Sequence, residues 1–157
     1  PNKYYNYDEK IITSIFNKIK ENFINKGYQL IFIPSMRTPK YIIDKAKNFY
    51  DKNQIIITDV DKKAYLSSLK LANHIVVTCD STSMISEAAI TGKPIYVAQM
   101  PTTKRNERFM RFFSLFKSMN IIKDLENSVE EWSYEKLNET DRISSYIKDK
   151  LKDYDFS

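Results

Sequence analysis

From Asp8 to Lys26 the apolar positions Ile12, Ile15, Phe16, Ile19 and Phe23 recur at helical spacing, which predicts an amphipathic helix stopped by Gly27. Tyr28 to Pro34 is an apolar run of strand type. Ser35-Met36-Arg37-Thr38-Pro39 follows, with Thr38 as the expected cap and Pro39 in the first helical position. Ile42, Ile43, Ala46 and Phe49 mark a second helix, and Gln54 to Thr58 a second strand. A helix from Asp61 to Ala72 leads to a strand from His74 to Cys79, a short helix stopped by Gly92, and a strand from Pro94 to Gln99. A longer helix from Asn106 to Met119 directs Phe109, Phe112, Phe113 and Phe116 inward. A short strand near Ile121 and a last helix from Asn138 to Leu151 complete the pattern.

Strands that are apolar throughout and alternate with capped helices predict a parallel sheet covered on both faces. The expected fold is α/β, a Rossmann-like three-layer sandwich forming a single domain over residues 1–157. Right-handed crossovers place every strand-to-helix loop on one sheet edge. The loops 35–39, 58–62 and 79–83 are therefore expected to face one crevice.

The third of these loops carries the chemistry. Asp80, Ser81, Thr82 and Ser83 lie between a buried strand and a short helix, with Glu87 about one helical turn beyond Ser83. A helix N-terminus has unpaired N–H groups and a partial positive charge, so it holds a phosphate readily. Glu87 is placed to accept hydrogen bonds from hydroxyls such as those of a ribose. The expectation is a nucleotide-diphosphate site. The competing explanation is that the hydroxyls simply cap the helix. A capping box would put Glu or Gln three residues after the cap, and Ser83 has Ser86 there, so that motif does not explain Glu87, while a cap at another of the hydroxyls stays open. Arg37, in the first loop, is a candidate phosphate clamp because its planar fork suits phosphate oxygens. Lys104 and Arg105 follow a strand that ends on the same edge and are candidate anion contacts.

Composition narrows the alternatives. The chain has 157 residues, 42% hydrophobic and 29% charged, ordinary values for a globular protein. Its net charge of +5 is spread along the chain, and only five of the 25 basic residues are Arg. Lysine is poor at bidentate base or phosphate readout, so nucleic acid is not an expected partner. With two glycines, Gly27 and Gly92, neither a P-loop nor a dinucleotide fingerprint can be built. The single cysteine, Cys79, forms no internal disulfide and fits a reducing compartment. No apolar run approaches the roughly 18–20 residues that cross a bilayer, and no signal peptide is visible. A cytoplasmic location follows as the expectation. The chain starts at Pro1 rather than Met, so a targeting segment upstream is not excluded. His74 lacks a second ligand or base and reads as structural, and Cys79 lacks a partner His and reads as packing. Asp59 and Asp61 read as turn and cap residues rather than a metal pair, and no metal site is expected. Trp132 and Tyr134 read as packing anchors for the last helix.

These motifs together resemble the ELM (elongated mitochondria) fission-factor family. The resemblance rests on Pro1-Asn2-Lys3-Tyr4-Tyr5, Ser35-Met36-Arg37-Thr38-Pro39, Asp80-Ser81-Thr82-Ser83-Met84-Ile85-Ser86-Glu87-Ala88, Thr91-Gly92-Lys93-Pro94 and Trp132-Ser133-Tyr134-Glu135-Lys136-Leu137-Asn138-Glu139-Thr140. The family occurs in bacteria as well as plants and is similar to glycosyltransferases of the two-Rossmann GT-B type. Two departures stand out. Met36 replaces the first Arg of the family's Ser-Arg-Arg-Thr-Pro, which removes a phosphate contact, and the Gly-Gly that usually precedes the opening Pro is absent.

The resemblance implies the C-terminal half of a longer protein whose N-terminal Rossmann half is missing. It implies that Ser81, Thr82 and Ser83 bind the diphosphate of a nucleotide sugar and Glu87 its ribose. The nucleotide sugar is a substrate, and no cofactor is expected. Donor, acceptor and catalytic base are not identified. The alternative function is a non-catalytic adaptor of the same fold, acting peripherally at a membrane surface as the plant members are thought to do. A docking face exposed by the missing half leads to an expectation of weak self-association.

Overall fold

The computed structural model describes residues 8–102, 106–126 and 130–135. They form an α/β, Rossmann-like architecture in which every strand pairing is parallel. The chain divides into two compact units. Among the described residues, the first unit holds 8–71, 100–102 and 126, and the second holds 72–99, 106–125 and 130–135. The hydrogen bonds build two sheets, of two and three strands, where the apolar pattern suggested one.

In the first unit, helix α1 (Glu9–Asn22) begins where the Asp8 carboxylate accepts a bond from Lys10 N at 2.7 Å. The helix ends earlier than its periodicity suggests. Phe23 leaves helical geometry, and a 3₁₀ turn over Ile24–Lys26 is closed by Gly27 at φ 97°, a left-handed value that favours glycine. Ile12, Ile15, Phe16 and Phe23 are buried. Phe16 packs its ring against Phe32, Phe49 and Tyr50, with centroids 5.4–6.4 Å away. The Tyr50 hydroxyl donates to Phe16 O at 3.0 Å, and burial raises its pKa well above the usual tyrosine range. Strands β1 (Ile31–Phe32) and β2 (Ile55–Ile56) pair Ile31 with Ile55 and Phe32 with Ile56. Phe32 is covered through Phe16, whereas Ile31 and Ile55 remain exposed.

Two helices follow these strands. Helix α2 (Lys40–Phe49) buries Ile42 and Ala46. Its cap differs from expectation: Pro39 occupies the capping position, while the Thr38 side chain accepts a bond from Ser35 N at 2.9 Å. Thr38 is held by the turn before the helix and is not free to close the helix end. Helix α3 (Lys62–Leu71) has no buried residue. Asp61 Oδ1 accepts from Ala64 N at 3.0 Å, the capping role read from the sequence.

The second unit contains the better-covered core. Strands β3 (Ile75–Thr78), β4 (Ile95–Ala98) and β5 (Ile122–Asp124) lie in the order β3-β4-β5, with Ile75, Ile95 and Ile122 in register. All four β4 residues are buried, as befits the central strand of a sheet covered on both faces. Helices α4 (Thr82–Ala89) and α5 (Glu107–Ser118) supply Ile85, Ala88, Ala89, Phe109, Phe112 and Phe116 to this core. Phe112 and Phe116 stack at 4.3 Å, while Phe113 stays half-buried. Each fully buried side chain of this size contributes about 1.5–3 kcal/mol.

Helix α5 is well closed at both ends. Asn106 Oδ1 accepts from Arg108 N and Phe109 N. At the other end Asn120 adopts φ 61°, its N–H donates to Lys117 O, and Ile121 N–H donates to Phe116 O. This is a Schellman closure with asparagine in the usual glycine place. The C-terminal helix expected over 138–151 lies outside the described residues. No helix among the described residues is long and apolar enough to cross a membrane.

Candidate functional site

Parallel strands direct their C-terminal ends to one edge, where ligands of open α/β sheets collect. In the second unit β3 ends there at Thr78, and the chain turns through Cys79 and Asp80 into α4. Four polar residues are buried among the described ones, and three are consecutive in this turn: Asp80 at 3% exposure, Ser81 at 5% and Thr82 at 3%. Buried polar groups are tolerated only where hydrogen bonds replace those lost to water. Here Ser81 N donates to Thr78 O at 3.0 Å, Ser81 O accepts from Ile85 N at 3.0 Å, and Thr82 O accepts from the Ser86 hydroxyl at 3.1 Å. The turn is therefore internally bonded and its backbone direction is fixed.

Ser81 occupies the capping position of α4, as the sequence suggested, yet its side chain makes no cap bond. Its hydroxyl lies 3.5 Å from the Thr78 hydroxyl instead. Helices α1, α3 and α5 are each closed by a carboxylate or amide, from Asp8, Asp61 and Asn106. At α4 the simple capping explanation thus loses the bond from the Ser81 side chain. Ser83, half-buried at the second helical position, shares a helix face with the exposed Glu87 four residues on. Sequence reasoning did not give weight to the burial of Asp80. A carboxylate one residue before the cap competes with an incoming anion for the positive helix end. Its place directly after the strand was the available signal.

Arg37 belongs to the first unit. Its turn is drawn tight by Ser35: the Ser35 hydroxyl accepts from Arg37 N at 3.3 Å, and Ser35 O accepts from Thr38 N at 3.1 Å. The Arg37 side chain is half-buried, beside a Met36 that is 89% exposed. Ser81, Thr82, Ser83 and Glu87 are thus brought together on one element, and Arg37 stands in a separate unit. Lys104 and Arg105 lie outside the described residues.

The remaining candidates fall into place by burial. Cys79 is fully buried, and its N–H donates to Ala98 O at 3.1 Å, so it packs as a small apolar residue. His74 sits just before β3, at the opposite end of the strand from the turn. Its imidazole is held below the usual histidine pKa by burial, partly offset by the Glu131 carboxylate 3.8 Å away. Trp132 Nε1 donates to Asn120 O at 2.8 Å and the Tyr134 hydroxyl donates to Lys93 O at 2.5 Å, on the segments that lead into β5 and β4; the last helix they were expected to anchor lies outside the described residues. Among the described residues no group of three or more His, Cys, Asp or Glu is gathered that could hold a metal ion.

The sequence profile of the family described as Mitochondrial fission ELM1 matches residues 1–151, and the chain belongs to that family. It is 31% identical over 160 residues to the uncharacterized protein RP120 of Rickettsia prowazekii (strain Madrid E), a match covering 96% of this chain and 44% of that protein. It is 34% identical over 97 residues to the mitochondrial fission protein ELM1 of Arabidopsis thaliana, covering 55% of this chain and 21% of that protein. The chain therefore spans less than half the length of each of these relatives. No solved structure matches it.

Proposed function

We propose that the chain is the nucleotide-sugar-binding half of a GT-B-like glycosyltransferase. In this reading the N-terminus of α4, with Ser81, Thr82 and Ser83, receives the diphosphate, and Glu87 accepts the ribose hydroxyls. The observation that carries the reading is a buried hydroxyl turn at a strand C-terminus, opening a helix whose capping serine makes no side-chain cap bond. Preorganised N–H groups of this kind stabilise the charge of a departing diphosphate. Lys104 and Arg105, the anion contacts expected from the sequence, are the cationic groups of this reading. The nucleotide sugar is the substrate, and the N-terminal Rossmann half, outside this chain, would bring the acceptor and the catalytic base. The exposed Ile31 and Ile55 offer apolar surface for that half or, in its absence, for weak self-association.

A cytoplasmic placement, peripheral at a membrane, belongs to the second reading. There the fold is a non-catalytic adaptor that recruits partners at the membrane surface. It is favoured by Met36, which holds a fully solvated position where the family carries a second Arg.

Calorimetric titration of the full-length protein with nucleoside diphosphates and nucleotide sugars separates the two. The enzyme reading expects saturable binding that Ser83→Ala and Glu87→Ala weaken. Absence of binding to every nucleotide tried removes that reading and leaves the adaptor.

A further inference from the structure

Segment 130–135 crosses the second unit at the end of the sheet where the strands begin. Three aromatic side chains fasten it. The Tyr96 hydroxyl, from β4, accepts from Glu130 N at 2.7 Å and donates to Glu130 O at 2.6 Å. Trp132 and Tyr134 bind Asn120 O and Lys93 O, the carbonyls that lead into β5 and β4. Tyr96 meets the Trp132 ring edge-on at 5.1 Å, and Lys123 Nζ lies 4.8 Å from the centre of the same ring. The fastening consists of a few polar bonds and ring contacts, with no residue of the segment fully buried. Segments of that kind open locally at low free energy.

A histidine side chain lies against the segment. His74, whose side chain is 4% exposed, leads into β3 and packs against the Tyr96 ring at 5.9 Å. Its Nε2 is 3.8 Å from Glu131 Oε1 of the segment. Val76, Tyr96 and Lys123 are in register across the sheet, and His74, two residues before Val76, shares their face. Among the described residues, Tyr96 from β4 and Glu131 from the segment are ionisable groups that face His74. The neighbouring charges, Glu130 and Lys123, pair with each other at 3.3 Å.

We propose that residues 130–135 form a strap over the strand-start edge of the β3-β4-β5 sheet, and that protonation of His74 releases it. Two forces act on the imidazolium. Burial opposes it, and Glu131 favours it. Glu131 is 80% exposed, so water screens its attraction and burial prevails. An opened strap hydrates His74 and lets it take the proton that the closed form resists. Closure is therefore fully favoured above the ordinary histidine pKa of 6.5 and is lost as pH falls below it. Acidification lifts Trp132 from Tyr96 while the sheet persists.

Trp132 is the only tryptophan in the chain, so its emission reports the strap alone. The test is a titration of the 157-residue chain from about pH 8 to about pH 5, following Trp132 emission together with far-UV circular dichroism. The expected result is a red shift with a midpoint below 6.5, preceding any loss of secondary structure. His74→Gln should abolish the transition. Glu131→Gln should move its midpoint to higher pH, because the closed form loses an attraction that offsets the burial of the imidazolium. The proposal is overturned by a constant emission, by an unchanged transition in His74→Gln, or by emission and dichroism changing together. Should His74→Gln fail to fold, Glu131→Gln decides alone, and a midpoint that stays or falls overturns the proposal.

Discussion

Replacing Tyr96 with Phe removes one oxygen atom and two hydrogen bonds, both to the backbone of Glu130. Tyr96 is fully buried and its ring keeps its place against Trp132, so the loss is confined to the hydroxyl. Two net hydrogen bonds are worth about 1–3 kcal/mol. Glu130 is exposed, so water can take over its N–H and carbonyl once the strap loosens, and the effect falls in the lower part of that range, about 1–2 kcal/mol. For a chain of this length each kcal/mol lowers the melting temperature by about 2–4 °C, giving a decrease of about 2–8 °C. A thermal melt read by circular dichroism measures the decrease, and Trp132 emission at neutral pH reports whether the strap has loosened. A melting temperature within about 1 °C of wild type, with unshifted emission, would refute the assignment of Tyr96 as the strap's main anchor.

Three further substitutions probe the rest of the molecule. Glu87→Ala, at an exposed helical position, should leave stability within about 0.5 kcal/mol and cost a bound nucleotide about 1.5–3 kcal/mol, roughly tenfold to hundredfold in affinity; a lowered melting temperature with unchanged affinity would make Glu87 structural. Asp80→Asn removes the negative charge ahead of α4 and should tighten inorganic phosphate binding by about 0.3–1 kcal/mol, and weaker phosphate binding in a titration would show that no competition exists. Asn120→Ala forces a Cβ-branched-free but left-handed alanine into φ 61° and should cost about 1 kcal/mol, while Asn120→Gly should cost little. Equal melting temperatures for the two Asn120 variants would contradict the Schellman closure.

The alternation of strand and helix was legible because each strand run is apolar throughout and each helix carries its breaks. Asn106 opens α5 where the pattern placed its start, and Gly27 and Gly92 take left-handed geometry, although α1 and α4 end a few residues before them. Helix ends depended on competition between side chains, which the pattern does not carry. Thr38 is a good capping residue in isolation, but Ser35 claims its oxygen first. Asn120 in left-handed geometry was readable in principle, since asparagine is the usual substitute for glycine after a helix. The hydroxyl turn was found for a sound reason, a run of small polar residues between a buried strand and a helix. Its burial, and the charge of Asp80 within it, emerge only once β3 and α4 are packed together. The strap was missed because Tyr96 reads as an ordinary strand residue. Only the register of β4 and β5 shows that Lys123 lies beside it.

Cys79 has a consequence beyond packing. It is the only thiol in the chain, it has no solvent exposure, and it lies one residue before Asp80 on the strand that carries the hydroxyl turn. A thiol reagent can reach it only when β3 parts from its neighbours, so the rate of labelling is a clock for the opening of that strand. Any molecule that settles on α4's first turn must hold β3 shut and slow the clock, in proportion to its occupancy. The protein thus carries its own reporter for an unknown ligand, readable by mass spectrometry on a mixture and needing neither a chromophore nor knowledge of the reaction.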